Sequence, residues 1–120
     1  MKAYHVTTTK KVSSIKKQGL LRTHKRNVSL SKRNVNYVMA DLLHAGFFAS
    51  KMNWETDQPI SIIHLKVDPN KLFKDLNTGA IGGAWYEYHD DIKSSQITKV
   101  ESWDKKAKAR HKKLMDKAFK

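Results

Sequence analysis

Polar and apolar positions change period several times along this chain, and the changes predict its elements. Residues 2–7 carry Ala3, Tyr4 and Val6 in a β-prone run and predict a strand. Thr8 or Thr9 can cap a short helix over 9–18, with Val12 and Ile15 turned inward and Gly19 placed to end it. Residues 22–27 read as a basic loop, and the alternating Val28-Ser29-Leu30-Ser31 as a very short strand. Asn34 then leads a predicted helix over about 35–48, with Val38, Leu42 and Ala45 on one stripe and Tyr37 beside it. A polar loop over 51–59 ends at Pro59. Ile60 to Val67 is β-branched and mostly apolar, the pattern of a central strand covered on both faces. Asp68-Pro69-Asn70 turns the chain, Leu72-Phe73 pack down as a short helical turn, and residues 77–83 form a glycine-rich loop. Strands follow over 84–88 and 97–103. Asp104 caps a final basic helix over 105–119, whose apolar positions are Ala107, Leu114, Met115 and Ala118, with Phe119 at the edge. The order β-α-β-α-β-β-β-α places the chain in the α+β class.

A length of 120 residues suits one domain over 1–103, followed by the basic helix of 104–120. No apolar run approaches the ~20 residues needed to span a bilayer, and residues 1–20 lack the pattern of a secretory signal. The expectation is therefore no membrane. Cysteine is absent, which excludes disulfides and thiolate metal sites and fits a reducing cytoplasm. The six histidines show no ligand spacing, so no metal is expected.

Charge changes the picture more. Twenty-four Lys and Arg against eleven Asp and Glu give a formal charge of +13. Residues 1–40 hold ten of the basic side chains and no acid, and residues 105–120 hold eight with only Asp116 against them. Such a field favours nucleic acid, an acidic protein surface or an anionic ligand. It is also what a solubilising lysine-rich surface would show. Lys105, Lys106, Arg110 and Lys112 are the candidate phosphate contacts.

Three side chains stand out for chemistry. His5 lies at the exit of the first strand, where a neutral imidazole can donate and accept, or can simply bond a neighbouring carbonyl. Tyr37 offers a flat ring on a predicted helix, suited to a core or to stacking on a cation. Glu87 falls on a strand, on the face of Trp85 and His89 and opposite Tyr86 and Tyr88, where a buried carboxylate needs a partner or a cleft. Asp90 and Asp91 read as turn residues. No phosphate-binding glycine motif is present: Gly79, Gly82 and Gly83 do not lead from a strand into a helix. Ser13-Ser14 and Ser94-Ser95 have no base close in sequence.

Tyr4-His5-Val6-Thr7, then Ile15 and Gly19-Leu20-Leu21, resembles the opening of the ADP-ribosyltransferase-like domains, whose first strand ends in His-x-Thr/Ser. Val28-Ser29-Leu30-Ser31 with Asn36-Tyr37, the run Ile62 to Phe73 and Trp85-Tyr86-Glu87-Tyr88 with Ile92 and Ile97 are similar to later passages of that family, in order, over roughly residues 3–102. The resemblance implies a single small domain with a mixed or antiparallel split sheet and flanking helices. It implies NAD as substrate, with His5 on the nicotinamide ribose, Thr7 supporting the turn, Tyr37 stacked on the nicotinamide, and Arg22 or Arg26 on the pyrophosphate. Glu87 would be the catalytic carboxylate, stabilising an oxocarbenium-like transition state. Two departures stand out. Val6 replaces a common glycine, and Ser29 falls where the family often has a tyrosine. The residue before His5 is Tyr4, not the arginine expected of the RNA 2′-phosphotransferase relatives.

The expected function is thus transfer of ADP-ribose to a nucleic acid or a nucleic-acid-bound protein, as in stripped-down members typical of phages, toxin–antitoxin pairs and mobile elements. The alternative is a non-catalytic basic module that binds nucleic acid or blocks a nucleic-acid enzyme by occupying its groove.

Overall fold

A computed structural model describes residues 1–20, 36–74, 85–88 and 90–118. The expected strand over 28–31 with Ser29, the basic loop with Arg22 and Arg26, and the glycine loop over 77–83 lie outside those residues. Strand β1 runs over Lys2–Thr8, and a 3₁₀ turn leads into helix α1, Val12–Gln18. Gly19 ends α1 at φ 75°, a left-handed value, and packs so tightly on the Ile92 carbonyl that a side chain there would collide with it.

The next element differs from the expected helix over 35–48. Asn36–Met39 is strand β2, and helix α2 begins only at Leu42 and continues to Thr56. Two contacts explain the shift. Asn36 is fully buried, and its side-chain amide donates to the carbonyls of Leu20 and Asp90 at 2.9 and 3.0 Å, pinning the chain as a strand between them. Asp41, rather than Asn34, then caps the helix by accepting from the His44 amide at 2.8 Å. The segment 51–56, expected as loop, holds no glycine or proline and extends the helix to Asp57, which takes a left-handed φ of 51°.

Ile60–Lys66 forms β3, as its apolar run suggests. Leu72 and Phe73, expected in a helical turn, belong to the short strand β4, Leu72–Lys74; the 3₁₀ turn lies just before it, at Pro69–Lys71. Strands β5, Trp85–Tyr88, and β6, Ile97–Ser102, precede helix α3, Lys105–Ala118. Asp104 caps α3 as expected, accepting from the Ala107 amide at 2.9 Å.

The six strands form one sheet in the order β4-β5-β2-β1-β3-β6, antiparallel at every described pairing. β1 and β3 share seven register pairs, whereas β1 and β2 share one, Tyr4 with Met39, among the described residues. The seam between β1 and β2 lies beside His5. Strand alternation gives each face its own core. On one face Ala3, Val38, Ile63, Leu65 and Tyr88 pack with Ile15 of α1. On the other, Val6, Met39 and Ile62 pack with Ala45 and Ala49 of α2 and with Trp103 and Ala107 at the start of α3.

Candidate functional site

Strand order brings three of the candidate side chains onto neighbouring strands: His5 on β1, Tyr37 on β2 and Glu87 on β5. At the seam the Nδ1–H of His5 donates to the Tyr37 carbonyl at 3.1 Å, which fixes the ring and, in the neutral tautomer, leaves the lone pair on Nε2. Tyr37 sits on a strand, not a helix, directly opposite Glu87.

The faces do not coincide. Tyr4 pairs with Met39, and Met39 shares its side of β2 with Tyr37, so Tyr37 and Glu87 project toward the α2 side. His5 pairs with Ile63 and lies one position from Tyr4, so it projects toward the α1 side, as does Thr7, which is buried. Continuing the β1–β2 register places Val38 opposite His5, and Val38 pairs with Tyr86. Tyr86, not Glu87, stands in the row of His5. None of the described strand residues on that face is acidic. Glu87 itself is 4% exposed. Asp90 is a turn residue, its side chain held by Lys71 and by the Asp91 amide.

A different cluster occupies the α2 side, and no short-range pattern could have shown it. The His64 ring meets the Tyr4 ring edge-on at 5.1 Å and bonds through Nε2 to Glu101 at 3.1 Å; the other Glu101 oxygen accepts from Arg110 of α3. Burial pushes the Glu101 carboxyl up, but the hydrogen bonds from Arg110 and His64, and their charges, outweigh it and hold the group below its ordinary value. Burial, with the nearby Asp41 and Glu101 charges, raises the Tyr4 phenol.

His111 was not singled out by the apolar pattern of α3, yet it is the helix's main anchor. It is 6% exposed, bonds to the Leu43 carbonyl at 2.8 Å, and meets Phe47 and Trp103 edge-on at 5.0 and 5.4 Å. Gly46 makes room for it: a Cβ there would sit 2.2 Å from the imidazole. Leu114, one of the apolar positions of the helix, is 39% exposed.

With Ala107 and His111 alone buried, α3 presents Lys105, Lys106, Lys108, Arg110, Lys112 and Lys113 to solvent. Arg110 differs from its neighbours because Glu101 already engages it. Among the described residues no group of acidic or histidine side chains is arranged to hold a metal ion, and no helix is long and apolar enough to cross a membrane.

No family model matches the chain, and no curated protein matches it in sequence. Its fold is similar to a solved structure, protein CC0527 from Caulobacter crescentus, at a TM-score of 0.55 over 87% of each chain, with 16% of residues identical.

Proposed function

We propose that this protein is a basic, non-catalytic module that binds nucleic acid through helix α3, in a cytoplasmic setting. The observation that carries the reading is the exposure of five lysines within residues 105–113, on a helix whose buried side chains are Ala107 and His111. Acidic side chains do not intervene along that stretch: Asp104 lies at its start and Asp116 beyond it. A rigid row of ammonium groups tracks a phosphate backbone and releases its counterions. Anisotropy of labelled single- and double-stranded oligonucleotides tests this. Lys105→Ala, Lys106→Ala and Lys112→Ala combined should weaken binding at least tenfold with the fold intact. Equal binding by the triple variant overturns the reading.

A second reading, an NAD-dependent ADP-ribosyltransferase, is favoured by the adjacency of β1, β2 and β5 and by the His5 imidazole seated at the seam. Under it, His5 holds the nicotinamide ribose, Thr7 supports the turn or contacts the ligand, and the basic helix presents the acceptor. The register opposes a shared role for His5 and Glu87, because the carboxylate that would stabilise the oxocarbenium ion lies across the sheet from the imidazole. Transfer of label from NAD to nucleic acid or protein distinguishes the two readings.

A further inference from the structure

A cavity of about 300 Å³ opens between α2, β6 and α3. Its apolar wall is built from Leu42, Trp103, Ala107 and Leu114, and its polar rim from Glu101, Arg110, Lys113 and Lys117. The volume lies at the lower end of the range for small-molecule sites, which typically join an apolar lining to a few polar groups.

The charges of the rim do not cancel. Glu101 is engaged twice, by Arg110 and by His64, so its negative charge is answered within the protein. Lys113 and Lys117 have no acidic partner among the described residues. A neutralised carboxylate and two unanswered ammonium groups leave the cavity mouth positive. An anion bound there is stabilised by both lysines without meeting a bare carboxylate.

Trp103 supplies the aromatic part of the wall. It is 92% buried (8% exposed), and its indole N–H has no acceptor among the described residues. Leaving a buried donor unmade costs about 1–3 kcal/mol. The apolar remainder of the wall disfavours a bare hydrated ion, which would lose water there without compensation.

We propose that this cavity binds a small amphiphilic anion, its apolar body against Leu42, Ala107 and Leu114 and its carboxylate or phosphate head held by Lys113 and Lys117. The site goes beyond the nucleic-acid reading, sharing Lys113 and the flank of Lys106 with it but not Lys105, Lys108 or Lys112. Arg110, Lys113, Leu114 and Lys117 follow i, i+3, i+4, i+7 spacing and share one flank, whereas Lys105, Lys108 and Lys112 repeat along the opposite one.

Isothermal titration of the full chain with decanoate, with uncharged decanol and with 1-naphthyl phosphate tests the proposal. Decanoate or naphthyl phosphate should bind at least tenfold more tightly than decanol, and the tighter of the two identifies the head group as carboxylate or phosphate. Leu114→Glu puts a negative charge at the mouth from a partly exposed position and should weaken the anion at least tenfold with an unchanged melting temperature. Lys113→Ala with Lys117→Ala should do the same by removing the cations. Binding of decanol as tight as that of both anions, no saturable binding of either anion, or unaltered affinity in both variants overturns the assignment.

Discussion

His5 and Glu87 stand on strands separated only by β2, yet their side chains leave the sheet on opposite sides, His5 toward α1 and Glu87 toward α2. A period-two strand makes the difference of a single residue decisive, because a shift of one exchanges the faces. Tyr86 shares the row of His5, and Glu87 shares that of Tyr37. The expected outcome is that Glu87→Gln and His5→Ala behave as unrelated changes. If NAD binds at all, His5→Ala should weaken it at least tenfold and Glu87→Gln should leave it within about twofold. Calorimetric titration with NAD checks this, and loss of binding in both variants would place the two groups on one ligand.

Helix α3 is fastened by the fit of His111 against Gly46. Gly46→Ala drives a methyl group into the imidazole, so it should cost about 1–3 kcal/mol as an overpacking change, despite alanine's better helix propensity. Urea unfolding should show a lower midpoint with an unchanged slope. In a His111→Ala background the same Gly46→Ala change should cost less, because the added methyl group then has room.

The Glu101 carboxyl titrates below its ordinary value in the folded protein. Its folded form therefore binds its proton less readily than the unfolded chain, and the stability this contributes is present above the ordinary glutamate value of about 4.3. That stability fades as pH falls through the lower folded value. Glu101→Gln should cost about 1–2 kcal/mol at pH 7, by removing the charge that Arg110 and His64 meet and one of the two oxygens that accept from them, and progressively less below pH 4. Thermal melts of both proteins from pH 7 to pH 3 check the convergence.

Much of the fold was legible from local pattern. The strands β1, β3, β5 and β6, the helix closed by Gly19 and the Asp104 cap all follow from periodicity and turn chemistry within a few residues. What misled was tertiary. Asn36-Tyr37-Val38-Met39 carries a helix-compatible stripe, and partners distant in sequence, β5 and the Leu20 and Asp90 carbonyls among them, decide for a strand. The same limit applies to the site. His5 and Glu87 could each be placed on a strand from sequence, but their relative face depends on register through β2. His64 and Glu101 lie 37 residues apart, and His111 bonds a carbonyl 68 residues away, so no spacing signal exists for either.

Asp104 supplies the cap that starts α3, and its carboxyl is held below the ordinary value chiefly by the Ala107 amide. Asp104→Ala should fray the first turn, where Lys105 and Lys106 lie. Helicity by circular dichroism should fall slightly, and oligonucleotide affinity should drop several-fold although a negative charge has been removed. A rise in affinity would mean that net charge alone, rather than an ordered helix, governs binding.

The salt dependence of oligonucleotide binding tests the nucleic-acid reading most directly. For the unaltered protein, log K should fall linearly with log salt, and the Lys105→Ala, Lys106→Ala, Lys112→Ala variant should give a line flatter by about 0.9 per lysine lost on duplex DNA. Identical slopes for the two proteins would contradict a phosphate-tracking role for α3.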